Sequence, residues 1–392
     1  MSKLGRCTHS FAPQVTRLVV RLTVFESMIA YVAMSNEDDH SCQAVHRACG
    51  RGSSTEQNML VGTTALASRA AARHGLALAS HAARHASVRG YHVPVREMKF
   101  VLGEVHDFPA HYAALSHGEP CDVDTMDMVI EATQQLCENE LAPLLGAADS
   151  EGCTWVDEHT VTTPSGFKEA YQLFAESGWQ GLSFPGAYGG QGLPMSLATI
   201  QSEMVAAGNF HWFMFPGLSK GAINTIIAHG SEELKSTYLP RLVSGEFTGT
   251  MCLTEPQCGS DLAQVTTKAE PNADGSYSLT GTKIFISCGE HDMTENIIHC
   301  VLARLPDAPA GTKGISLFLV PKRVLDADGA IGDFNGVNIA RIEDKMGCHG
   351  SPTCQARVPR SQDTPDPRFC AHASLVASRG AGRSSLRAPR AG

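Results

Sequence analysis

Two short stretches hold the side chains best suited to chemistry. The first runs Thr250-Met251-Cys252-Leu253-Thr254-Glu255-Pro256-Gln257-Cys258-Gly259-Ser260-Asp261, and the second runs Gly281-Thr282-Lys283-Ile284-Phe285-Ile286-Ser287. Gly259-Ser260, after Pro256, reads as a small-residue turn whose backbone N–H groups can meet an anion. Thr254 and Ser287 place hydroxyls near strand ends, and Phe285 offers an aromatic plane. Those features suit a flat, polar-edged heterocycle with a phosphate tail. A structural turn with satisfied strand hydroxyls accounts for the same residues at least as well, so the residues alone leave both readings open.

The elements that must position these stretches follow from periodicity. Asp274-Gly275 between the motifs is a turn signal separating two β-forming runs. From Gly249 on, Val265 to Ala269, Tyr277 to Ser287, Asn296 to Arg304 and Gly314 to Val320 alternate with Gly, Pro and Asp turns, which predicts a β-domain ending near Lys345-Met346-Gly347. Before it, Met98, Val101, Leu102 and Val105 recur at helical spacing. A second helix is expected from Asp122 to Leu141, with Pro143 beyond its end, and another from a Thr163 cap. Further helices follow Pro194, run from Gly217 to His229, and start at a Ser231 cap. The Gly186–Gly192 loop follows no convincing strand and does not match a dinucleotide fingerprint.

Composition narrows the function classes. The net charge of −9 is unevenly spread: both ends are basic and Arg-rich, while residues 91–355 are strongly acidic. An acidic body repels phosphates, so nucleic acid is not an expected partner of the folded part. No apolar run is long enough to span a bilayer. The 13 cysteines include no C-x-x-C pair, which favours a reducing compartment, read here as the cytoplasm. His81 and His85 lie four apart but lack the glutamate of a metalloprotease helix, so no metal site is expected. Residues 1–90 and 356–392 show no sustained periodicity and are expected to be disordered, either as genuine basic arms or as translated sequence never shaped as protein.

In order along the chain, Tyr238-Leu239-Pro240, Ser244-Gly245-Glu246, the Leu253-Thr254-Glu255-Pro256 and Gly259-Ser260-Asp261 pair, Gly281 to Ser287, Lys313-Gly314-Ile315-Ser316 and Lys345-Met346-Gly347 together resemble the acyl-CoA dehydrogenase family. Glu290-His291-Asp292-Met293-Thr294 and Arg304 to Pro309 are similar to its 3-(methylthio)propanoyl-CoA branch. The resemblance covers residues 91–354. It implies an α+β multidomain chain: an N-terminal α-helical domain at 91–248 and a middle, β-barrel-like domain at 249–355. The family's C-terminal helical bundle is not found in the sequence, so the chain is expected to be truncated.

The same resemblance implies FAD as cofactor, an acyl-CoA substrate, an electron-accepting flavoprotein as partner and a homo-oligomer in the complete form. Leu253 and Thr254 would meet the pyrimidine edge of the flavin. Gly259 and Ser260 would lie near its phosphates and the thioester arm, Phe285 would pack on the ring, and Ser287 would sit near the reactive nitrogen. Ser287 stands where relatives usually carry Thr, and Cys288 departs from the common Gly. Glu255 is placed as a structural residue rather than the base. The reaction removes an α-proton while the β-hydride passes to the flavin, with a carboxylate base in the C-terminal domain of relatives. The expected function is therefore an α,β-dehydrogenation to the 2-enoyl-CoA, inactive if the domain carrying the base is missing. The alternatives are a non-catalytic remnant or flavin-binding fragment and, less favoured, a nucleic-acid-associated relative.

Overall fold

Side-chain caps set four of the α-helix starts; at one, Asp107 accepts the Ala110 N–H at 3.3 Å. Asp122, Asn209 and Ser231 each accept a backbone N–H three residues on, from Thr125 at 2.8 Å, Trp212 at 3.1 Å and Leu234 at 3.2 Å. The computed structural model describes residues 90–115, 121–358 and 371–378. The expectations for residues 1–89, including His81 and His85, and for 359–370 and 379–392 lie outside the described residues.

The helical part comprises α1 (Val95–Lys99), α2 (Phe108–Ala113), α3 (Val123–Leu136), α4 (Ala142–Glu151), α5 (Phe167–Glu176), α6 (Met195–Gly208), α7 (Phe210–His229) and α8 (Glu232–Ser244). Three sequence expectations need correction here. The helix expected to stop at Leu141 continues through a π-turn, Cys137–Leu141, into α4. Pro143 sits in the first turn of α4, where a missing N–H leaves nothing unpaired. Thr163 is not a helix cap: its N–H and hydroxyl both donate to Asp292 Oδ1, at 3.0 and 2.7 Å. Gly166, in the left-handed region at φ 84°, precedes α5 instead. Finally, α7 begins at Phe210 rather than Gly217, because Asn209 caps it and Pro216 is carried inside the helix.

The β-part begins at Phe247, two residues before the expected boundary. It contains β3 (Phe247–Cys252), β4 (Lys268–Pro271), β5 (Tyr277–Ser287), β6 (Asn296–Arg304), β7 (Ile315–Pro321), β10 (Asn338–Ile342), β11 (Thr353–Val358) and β12 (Ala371–Ser378) in one eight-stranded sheet. Two small hairpins stand apart, β1 (Thr154–Asp157) with β2 (Thr160–Thr162) and β8 (Arg323–Leu325) with β9 (Ile331–Phe334). Because β4 pairs with both β5 and β6, the strands β5, β12, β7, β6 and β4 close into a ring. That ring gives the barrel-like character expected from the sequence. The disorder expected for 356–392 is corrected at two places: β11 runs to Val358, and β12 fills the slot between β5 and β7. His-Ala-Ser-Leu-Val alternates weakly, and its pairing is set by two long neighbours rather than by its own pattern.

Alternation along β6 feeds two cores. Ile298, Cys300 and Leu302 face α7 and α8, where they join Ile223, Ile226, Leu239 and Leu242. Val301 and Ala303 point the other way, with Phe318, Leu279 and Ile286. The helix-to-sheet contact depends on a glycine. A Cβ on Gly249 of β3 would lie 2.4 Å from Ala222 Cβ of α7, and the Gly249 N–H donates to Ser219 Oγ at 3.0 Å. Among the described residues no helix is long and apolar enough to cross a membrane.

Candidate functional site

β3 and β5 bring the two motifs together. The Ile284 N–H donates to the Thr254 carbonyl at 2.9 Å, Lys283 Nζ donates to the Leu253 carbonyl at 3.2 Å, and Thr250 Oγ1 donates to the Ser287 carbonyl at 2.7 Å. Leu253, Thr254 and Ser287 are half-buried, while Gly259 and Ser260 are exposed on the turn that follows. All six expected cofactor residues thus belong to one joined pair of segments.

Phe285 owes its position to a bulge. Opposite β11, Cys354 pairs with Ile286 and Ala356 with Lys283, so Ile284 and Phe285 together face the single residue Gln355. Phe285 takes φ 57°, a conformation a bulky side chain adopts only under constraint, and the residue is 59% exposed. The bulge turns an aromatic side chain outward from a strand whose other residues are buried or half-buried. Cys288 also lies in the left-handed region, at φ 54°, so the turn keeps the glycine-like backbone without a glycine.

Glu255 is saturated. Oε1 accepts from Thr267 N at 3.0 Å, Thr267 Oγ1 at 2.5 Å and Lys283 Nζ at 2.8 Å. Oε2 accepts from Gln257 Nε2 at 2.6 Å and from Thr266 N and Oγ1, both at 2.8 Å. Burial raises its pKa, but the Lys283 charge and these donors outweigh it and hold the carboxyl at about 2. A carboxylate with every lone pair engaged cannot take a substrate proton. Lys283, which periodicity leaves as an unexplained charge in an apolar strand, is its counter-ion; that misfit was the signal available in the sequence.

A second buried carboxylate follows the motif. Glu290 is 3% exposed, pairs with Lys322 Nζ, and accepts the His291 N–H at 2.9 Å. Burial outweighs Lys322 and pushes its pKa up to about 7. His291 is buried and held at about 3 by desolvation, hence neutral. Its Nδ1 accepts from Met293 N at 3.2 Å, which leaves Nε2–H to donate to Thr248 Oγ1 at 2.9 Å. Because the folded Glu290 pKa lies above the usual 4.5, the folded state holds the extra proton between pH 4.5 and 7. Stability therefore falls as pH rises through that window, by roughly 3 kcal/mol from this group. Glu290→Gln should flatten that decline in thermal-unfolding profiles; an unchanged slope would refute the assignment.

A cleft of about 430 Å³ opens between the end of α4 and residues 342–352, lined among others by Asp149, Glu151, Glu343, Asp344, Lys345 and His349. It contains none of the six motif residues, and its carboxylates repel phosphate, so the joined motifs and not this cleft form the candidate site. Among the described residues no cluster of His, Cys, Asp and Glu is placed to hold a metal ion.

Comparison with known proteins converges on the same segments. Residues 124–246 match the acyl-CoA dehydrogenase N-terminal domain and residues 250–360 the middle domain. The chain is 40% identical over 263 residues to 3-methylmercaptopropionyl-CoA dehydrogenase of Ruegeria pomeroyi, covering 67% of this chain and 44% of that protein. It is 38% identical over 266 residues to a butyryl-CoA dehydrogenase of Syntrophomonas wolfei, covering 67% and 43%. The chain thus spans less than half the length of these relatives. The solved butyryl-CoA dehydrogenase of Megasphaera elsdenii shares the fold at TM-score 0.50 and 24% identity, over 67% of this chain and 59% of that one. The chain belongs to the acyl-CoA dehydrogenase family and carries its N-terminal and middle domains.

Proposed function

We propose that this chain binds FAD on the β3–β5 face as part of an enzyme that dehydrogenates an acyl-CoA to the 2-enoyl-CoA. The observation that carries the reading is the outward-turned Phe285 beside the joined Thr254 and Ser287 segments. An exposed aromatic plane, two half-buried hydroxyls and the open Gly259–Ser260 turn fit a planar ring with a phosphate tail. The chemistry FAD supplies when bound is acceptance of a hydride from the β-carbon of the thioester.

The chain's own residues bind and orient. Leu253 and Thr254 border the pyrimidine edge, Gly259 and Ser260 offer backbone N–H groups toward phosphate, Phe285 supports the ring and Ser287 supplies a hydroxyl donor. Glu255 is excluded as the α-proton base by its six donors, and we assign that base to no described residue. The acceptor of the electrons is an electron-accepting flavoprotein, and the complete enzyme is a homo-oligomer. A methylthio- or short-chain acyl-CoA is the substrate class that the similarity to the Ruegeria and Syntrophomonas enzymes supports.

The test is a titration of the purified chain with FAD, followed by visible absorption and flavin fluorescence. Saturable binding that weakens in Phe285→Ala is expected. No saturable binding would overturn the proposal. Anaerobic addition of acyl-CoA then locates the base: a flavin band that bleaches would place it within this chain.

A further inference from the structure

The Glu255–Lys283 pair spans the two motifs. Lys283 Nζ holds Glu255 Oε1 at 2.8 Å with one proton and the Leu253 carbonyl at 3.2 Å with another. Glu255 closes a tight turn through its own backbone, exchanging hydrogen bonds with Cys258 at 2.8 and 3.0 Å. Its side chain reaches across the loop to Thr266 and Thr267, just before β4. Gln257 Nε2 adds bonds to the Gln264 carbonyl at 3.2 Å and Thr266 Oγ1 at 3.1 Å. Gly281 completes the arrangement, because a Cβ there would lie 2.4 Å from Thr267 Oγ1. The loop from Leu253 to Thr267 is thereby tied at both ends, and only the exposed stretch around Gly259–Ser260 is left between the ties.

We infer that Glu255 and Lys283 are positioning residues: as a buried strut they pre-set the Leu253–Ser260 loop so that its backbone is in place before a cofactor arrives. The inference rests on the proposal that this face binds FAD, but the ordering of the loop can be read without it. Removing either charge would leave its partner buried without a counter-ion and the loop less firmly held, so the two act as one unit. Preorganisation of this kind lowers the ordering cost that binding must meet.

The experiment uses the full chain with four variants: Lys283→Met, Lys283→Arg, Thr267→Val, and the remote core control Ile130→Ala in α3. Hydrogen–deuterium exchange on the ligand-free chain is the first readout. Lys283→Met should speed exchange in the peptide covering residues 253–264 by about tenfold or more, the factor by which losing one hydrogen bond to a charged group eases local opening. Thr267→Val, which removes one donor and keeps both charges, should give a smaller rise, and Ile130→Ala none. FAD affinity and the visible flavin bands are the second readout: weakening and a band shift in Lys283→Met, partial rescue by Lys283→Arg, and unchanged values in Ile130→Ala. Equal exchange in wild type and Thr267→Val, or an equal loss of FAD affinity in Ile130→Ala, would overturn the inference. Absence of FAD binding in the wild type, with the exchange pattern as expected, would refute the cofactor proposal and leave the strut standing. If Lys283→Met does not fold, Thr267→Val and Lys283→Arg decide the matter on the same exchange readout.

Discussion

Lys283→Met is expected to lower stability at pH 7 by about 3–5 kcal/mol, the range seen when one partner of a buried ion pair is removed. The Glu255 side chain is 2% exposed and that of Lys283 5%, so water cannot replace the lost ammonium. Five of the six donors on the carboxylate remain, which keeps it from simply taking up a proton. Adding Glu255→Gln does not restore the loss, because the new amide N–H₂ would face Thr or Gln donors. The native pair also fixes an acid limb. Glu255 sits at about 2 when folded against the usual 4.5, so the unfolded state binds more protons in that window. Its contribution is complete above about pH 4.5 and drains as pH falls toward 2, worth roughly 3 kcal/mol in all. Urea denaturation at pH 7 and thermal unfolding from pH 6 to 2.5 measure both effects. A loss under about 1 kcal/mol with an unaltered acid limb would contradict the account.

How much of this was legible beforehand depends on what set each feature. β5 and β6 were bounded correctly from the sequence because long runs of β-branched and apolar residues sit between strong turns. The Ser231 cap and the structural role of Glu255 were also readable, the first from local chemistry and the second from its motif. The π-turn at Cys137–Leu141 was not, since nothing in the side-chain pattern distinguishes it from a helix that stops before Pro143. β12 escaped because its place is set by β5 and β7, almost a hundred residues away in the case of β5. The site divides the same way. The residue types of the two motifs were visible, and the family resemblance joined them. The positive φ of Phe285 was not visible, because a bulge is a property of the pairing between β5 and β11 and not of either strand alone.

Trp212→Ala should cost a further 3–5 kcal/mol, roughly, as for other large-to-small changes in a closed core. Trp212 is fully buried in α7 and packs edge-on against Phe174 of α5, with ring centroids 5.1 Å apart. Its Nε1–H donates to the Phe167 carbonyl at 3.2 Å, so truncation leaves a cavity and removes a second donor from a carbonyl in the first turn of α5. Trp212→Phe separates the two terms: it retains much of the volume, and its loss, about 0.5–1.5 kcal/mol, reports mainly the missing indole hydrogen bond. The consequence reaches the sheet, because α7 is also the helix seated on Gly249 through Ser219 and Ala222, on the strand that leads directly into Leu253 and Thr254. In Trp212→Ala, hydrogen exchange should therefore rise in α5 and α7 before it rises in β5 and β6, whose ladders are closed into the ring. Guanidinium unfolding of both variants, with exchange mapped by peptide, tests this order; exchange rising first in β5 or β6 would mean that the helices do not depend on this contact.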